Sequence, residues 1–140
     1  MPAKENKTYF AVIDTNVIIS ALLSHYSDAA TSLMLDYLFK GFIIPLYNEE
    51  ILSEYSNVLH REKFKFPEEL ISRVLKVVTD KGISSDRVFA DFDFPDPKDV
   101  VFYEVALSKD DAYLVTGNIK HFPRVDFVVT PAEMIEIMSS

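Results

Sequence analysis

Three observations predict an α/β fold for this chain. Short apolar runs rich in β-branched and aromatic residues alternate with helical patterns, the runs end on acidic or polar residues, and no repeat or Gly/Ser/Pro-rich linker breaks the alternation. Strands alternating with helices imply right-handed crossovers and a parallel sheet covered on both faces. At 140 residues the chain is expected to form one domain, residues 1–140, burying about two-thirds of the surface its unfolded form exposes.

Tyr9 to Ile13 (YFAVI) reads as a buried strand, followed by a helix from Asp14 to Leu23 with Asp14, Thr15 and Asn16 as candidate caps. Ser27-Asp28 offers the cap of a second helix, whose pattern Leu33, Met34, Tyr37, Leu38 runs to Gly41, a natural terminator. Phe42 to Leu46 is the next strand. Asn48 opens a helix with Ile51, Leu52, Tyr55, Val58 and Leu59 on one stripe. Pro67-Glu68-Glu69 is a good first turn for a helix ending near Gly82. A weak strand is expected around Val88 to Phe89. Asp96-Pro97 starts a helix to about Lys109, followed by a strand from Ala112 to Thr116, a last strand from Phe127 to Val129, and a helix opened by Thr130-Pro131-Ala132-Glu133.

Composition narrows the functional classes. The chain is 49% hydrophobic and 26% charged, ordinary for a soluble globular protein. No apolar run reaches the roughly 18 residues of a membrane span, and MPAKENKTYF lacks the apolar segment of a secretory signal, so a cytoplasmic protein is expected. With no cysteine there is no disulfide framework or thiolate zinc site, and three scattered histidines disfavour a histidine-rich one. A net charge of −8 argues against tight non-specific grip on long duplex nucleic acid. Two local basic groups stand out, His60, Arg61, Lys63 and Lys65, and Lys120, His121 and Arg124; each alone also reads as solvated surface.

Four acids sit beside apolar stretches: Asp14 after YFAVI, Glu54 inside EEILSEYSNVL, and Asp96 with Asp99 in DFDFPDPKDVVF. Thr116-Gly117-Asn118 closes the run AYLV in the same manner. In an open parallel sheet the carboxyl ends of strands converge on one crevice. Carboxylates delivered there make a pocket for a hard divalent cation. Each residue also has an ordinary structural reading. Asp14 is equally a helix cap. Glu54 lies roughly 40° from Val58 at about 100° per residue, on the margin of the buried stripe, where Arg61 or Arg73 could pair with it. Glu49 falls on the solvated side.

Asp96 suits an N-cap before Pro97, and Asp99 suits the third helical position beside the helix dipole. Asp99 also shares a face with Phe102, Tyr103 and Ala106, which turns it towards the interior or the crevice. Asp99 is therefore favoured as a ligand and Asp96 as a cap, with Asp91 and Asp93 solvated. Thr116 and Asn118 suit a turn. They also suit a hydroxyl bonded to a ligand carboxylate and an amide oxygen offered to a metal or its water. Two carboxylates about 4 Å apart repel by roughly 4 kcal/mol at an effective dielectric near 20. Three in one pocket therefore require protons, basic side chains or a divalent ion, and oxygen-only donors select Mg²⁺ or Mn²⁺ over zinc.

The segments VIDTNVIISALL, EEILSEYSNVL, DPKDVVFYEVAL and DAYLVTGNIKHF, together with the later VVTPAEMI, resemble the PIN domain family of nucleases in that family's order. The nearest branch resembles the toxin components of toxin–antitoxin systems. The resemblance implies an α/β/α sandwich with a central parallel sheet, often dimeric. It also implies a Mg²⁺- or Mn²⁺-dependent ribonuclease with Asp14, Glu54 and Asp99 as metal ligands, and it suggests an antitoxin protein as partner. Asp96, Asn16, Thr116 and Asn118 are the expected supporting residues. In the family the position of Asn118 is often Asp and that of His121 often acidic; the loss of both charges weakens a second metal site.

The expected activity is endoribonucleolytic cleavage of single-stranded RNA. A binding module that keeps the fold without the chemistry, recognising RNA or a protein, is the alternative that Asn118 and His121 suggest. A phosphoaspartate receiver or phosphohydrolase ranks last, because Asp14-Thr15-Asn16 supplies no second acid and no lysine directly follows Thr116.

Overall fold

The computed structural model describes residues 7–24 and 29–140. Among them, five strands form one wholly parallel sheet: β1 (Tyr9–Ile13), β2 (Ile43–Tyr47), β3 (Ile83–Ser84), β4 (Ala112–Val115) and β5 (Val128–Val129), in the order β3-β2-β1-β4-β5. Among the same residues six α-helices complete an α/β/α sandwich: α1 (Thr15–Leu23), α2 (Ala30–Lys40), α3 (Glu49–Leu59), α4 (Glu68–Lys81), α5 (Val100–Ala106) and α6 (Pro131–Ser139). The described residues hold no helix long and apolar enough to cross a membrane.

The centre of the sheet is its driest part. Ala11, Val12, Leu114 and Val115 are fully buried, as expected for central strands covered on both faces. Val12 stands beside Leu114 and Ile13 beside Val115, so β1 and β4 end level with each other. That register matters for function. It places the residues that follow, Asp14 and Thr116, side by side at the carboxyl edge, where the strand order changes direction and ligands bind in such sheets.

Local chemistry explains most helix boundaries. Asn48 caps α3 by accepting the Ile51 amide at 2.9 Å. Gly41 ends α2 in the left-handed conformation, φ 83°, which its missing Cβ permits. Thr130 and Glu133 form a reciprocal capping box at the start of α6. Asp14 stands at the N-cap position of α1 without making a capping side-chain hydrogen bond, and Thr15 and Asn16 lie inside the helix.

Several elements depart from the sequence expectations. Val88 and Phe89 form no strand: the Val88 amide donates to the Glu104 carbonyl, and Phe89 is 81% exposed. The missing edge is instead supplied by Ile83–Ser84, which pairs only with Leu46 and Tyr47, just past Pro45, a residue with no amide to donate. Gly82 enters this strand where a Cβ would lie 2.5 Å from the Pro45 carbonyl oxygen and 2.3 Å from that of Val78.

The helix expected from Asp96 to Lys109 is shorter and in two parts, a 3₁₀ turn over Pro97–Asp99 and then α5. Asp96 accepts the Lys98 amide and tightens that first turn, while the Ser108 hydroxyl bonds the Val105 carbonyl just beyond the other end. Pro67 precedes α4 as its N-cap residue instead of entering the first turn. Strand β2 is shifted one residue beyond the expected Phe42 to Leu46, and β4 and β5 are one residue shorter than expected. Ser27 and Asp28, the expected cap of α2, lie outside the described residues.

Candidate active site

Asp14 leaves the end of β1 almost fully buried, 4% exposed. Its Oδ2 accepts hydrogen bonds from the Thr116 hydroxyl at 2.7 Å and the Asn16 side-chain amide at 3.0 Å. Both donors are themselves held. The Thr116 hydroxyl accepts the Asn118 amide at 2.9 Å, and Asn16 Oδ1 accepts the Gly117 amide at 3.0 Å. The loop after β4 is thus stitched to the first turn of α1, and the carboxylate is fixed between them. The side chain serves this junction and not the helix cap.

Burial raises the Asp14 pKa to about 6. The Thr116 hydrogen bond opposes the rise, the nearby charge of Asp99 adds to it, and contacts with Thr15 and Asn16 oppose it again. Such a carboxyl is poised to exchange a proton for a cation near neutral pH.

Tyr55, buried within α3, donates its hydroxyl to the Ile13 carbonyl and ties that helix to the last residue of β1. Burial, and then the charge of Asp14, push its phenol pKa upward, so it remains a neutral donor. Its neighbour Glu54, half-buried, lines a cavity that Asp14 also lines. Among the described residues Glu54 makes no salt bridge to Arg61 or Arg73.

Asp99, 9% exposed, enters from the 3₁₀ turn before α5. Its pKa is raised, first by burial and next by the charge of Asp96; the His121 contact opposes this and the charge of Glu54 adds to it. His121 Nδ1 lies 3.1 Å from Asp99 Oδ2.

Asp14, Asn16, Glu54, Asp96 and Asp99 all line one cavity of about 380 Å³. Thr116 supports it from beneath. Asn118 contributes its backbone amide to Thr116, while its side chain is exposed and not among the cavity-lining groups. Sequence reasoning overlooked Lys98, Phe64 and the wall formed by Thr15. Thr15 Oγ1 is buried without a hydrogen-bond partner, the sole such side-chain atom among the described residues. In sequence Arg61 reads as part of a basic group and as a possible partner for Glu54, not as a cavity wall. Helical spacing puts Glu54 and Val58 on one face of α3, and the turn that bonds the Arg61 amide to the Val58 carbonyl brings Arg61 to the same wall.

The donor chemistry fits a hard divalent ion: oxygen atoms only, two carboxyls with raised pKa, and an orphaned hydroxyl in the wall. The acids share the cavity but are not drawn into a closed ligand set. Among the described residues no three His, Asp or Glu groups are close enough to hold an ion as they stand.

The sequence model of the PIN domain matches residues 11–120, a stretch that contains Asp14, Glu54, Asp99 and Thr116. No curated protein and no solved structure matches the chain.

Proposed function

The chain belongs to the PIN domain family, whose members are generally nucleases, and from that membership we propose that it is a divalent-metal-dependent endoribonuclease acting on single-stranded RNA. The observation that carries the reading is the meeting of Asp14, Glu54 and Asp99, from three distant segments, on one cavity at the sheet's carboxyl edge. These three would hold Mg²⁺ or Mn²⁺. Bound there, the ion would activate water and offset charge on the phosphodiester oxygens. Thr116 and Asn16 orient Asp14, His121 orients Asp99, and Asp96 shapes the turn that presents Asp99. A single well-held ion is favoured, since Asn118 and His121 supply no extra negative charge. Resemblance of the motif segments to toxin components extends the proposal to a toxin paired with an antitoxin, acting in the cytoplasm as a homodimer.

Incubation of the protein with a labelled single-stranded RNA and Mn²⁺ tests the activity. Cleavage lost in Asp14→Asn and in EDTA is expected. Equal cleavage by both proteins would overturn the assignment.

Two observations favour a second reading, a PIN-fold RNA- or protein-binding module without catalysis. His121 occupies an oxygen of Asp99, and the acids are not gathered as a ready ligand set. Titration calorimetry with Mn²⁺ separates the two: binding abolished by Glu54→Gln supports the nuclease, and no binding by the parent protein supports the module.

A further inference from the structure

We propose that the segment Arg61–Phe66 is a nucleotide-binding subsite of the cavity, with Arg61 holding a phosphate next to the scissile one and Phe64 stacking an unpaired base. The proposal rests on the nuclease reading and names the part of the substrate that this wall receives.

The chain's own geometry builds the subsite. Glu54 and Val58 lie one turn apart on α3, and Arg61 follows two residues beyond that helix, its amide donating to the Val58 carbonyl; all three line the cavity. A guanidinium on the same wall as the acids suits a phosphate beside the one they would face. Arg61 is exposed and, among the described residues, joins no salt bridge; the same is true of Lys98, which also lines the cavity. In a chain with 22 acidic and 14 basic residues, two cations share a cavity with four carboxylates and pair with none of them. Their charges remain free for an anionic ligand.

The backbone then turns sharply. A 3₁₀ turn over Glu62–Phe64 ends at Lys65, which adopts φ 54°, the one left-handed non-glycine residue among those described. Such a conformation is unfavourable for lysine and is held here by its surroundings. On either side of it, the Phe64 and Phe66 rings stack at 5.4 Å with planes 12° apart. Phe64 is half-buried and lines the cavity, and the exposed Lys63 ammonium lies 5.2 Å from its centre.

A neutral aromatic ring beside two unpaired cations has the chemistry that binds single-stranded nucleic acid, in which stacking and phosphate contacts act together. Bases within a duplex are already stacked and present no free face, so this wall selects unpaired strands.

The test uses the Asp14→Asn protein, expected to bind without cutting, and a short fluorescent single-stranded RNA carrying 2-aminopurine. Arg61→Gln is expected to weaken binding and to lower the salt slope by about 0.7, the contribution of one phosphate. Phe64→Leu is expected to weaken binding about 5- to 100-fold and to abolish the change in 2-aminopurine emission, with Phe64→Tyr restoring both. Mn²⁺ affinity, measured with Arg61→Gln in the native background, should not change. RNA binding unaltered by both Arg61→Gln and Phe64→Leu would overturn the subsite while leaving the nuclease reading intact. Absence of RNA binding by the parent protein would overturn both.

Discussion

Thr116, at the end of β4, gives its hydroxyl proton to Asp14 Oδ2, at the end of β1, across 2.7 Å of space and 102 residues of chain. The same hydroxyl accepts the Asn118 amide, so one side chain joins the loop after β4 to the carboxylate. Thr116→Val should remove this bond and leave the Asn118 amide without its acceptor, at a cost of about 1–3 kcal/mol. Thr116→Ser should recover most of the loss. Urea unfolding at pH 7.5 checks both, and equal midpoints for the parent and the valine variant would contradict the arrangement.

Asp14 should make the ion-free protein less stable as pH rises. Its folded pKa of about 6 exceeds the reference value of 3.8, so the native state keeps a proton that the unfolded chain has lost. Stability therefore falls between about pH 4 and 6 and levels off above the folded pKa, a change of about 3 kcal/mol. Asp14→Asn should remove that dependence and be the more stable protein at pH 7.5 in EDTA. A variant that is less stable there, by urea midpoint, would exclude a buried charge at this position.

Divalent ions should reverse the penalty. At 100 times its dissociation constant, Mn²⁺ should stabilise the parent protein by about 2.7 kcal/mol, and its affinity should increase as pH passes about 6 and Asp14 ionises. Glu54→Gln should abolish the Mn²⁺ shift while changing ion-free stability by less than about 0.5 kcal/mol, because Glu54 makes no salt bridge among the described residues. Thermal melts with and without Mn²⁺ measure both effects.

Arg87 should matter to the site from outside it. Its guanidinium bonds Glu104 of α5 at 2.6 and 2.8 Å and Glu50 of α3 at 2.8 and 2.9 Å, linking the helices that flank Glu54 and Asp99. Glu104 is buried; burial acts to raise its pKa, but the Ala90 amide and Arg87 outweigh it and hold the pKa below the usual carboxylate range. Arg87→Met leaves that charge uncompensated and should cost about 2–4 kcal/mol, less than a fully enclosed pair because Arg87 is about a third exposed. Mn²⁺ affinity should fall with it. Arg87→Met combined with Glu104→Leu should recover stability, as calorimetric unfolding would read.

The central elements were legible because their signals are local. YFAVI and AYLV are apolar runs with acidic or polar ends, Gly41 and the Thr130–Glu133 box mark helix ends, and the position of Asp14 after a central strand follows from the alternation. What sequence left ambiguous was the choice between capping and ligation at Asp14, which depends on Thr116 arriving from far along the chain. Strand β3 carries two exposed residues and no periodicity to read, whereas Val88 and Phe89 carry β-propensity that the Glu104 network overrides. Lys98 and Phe64 were missed because nothing in their immediate neighbourhood distinguishes a cavity wall from an ordinary surface.

The strand order has a further consequence for synthesis. β1 occupies the middle of the sheet, and one of its two partners, β4, is encoded about a hundred residues later. Until β4 leaves the ribosome, β1 lacks a neighbour and Asp14 lacks the hydroxyl that orients it. Nascent or prematurely terminated chains therefore carry the acids without the assembled centre. Synthesis through β4 thus sets the earliest onset of any activity housed there.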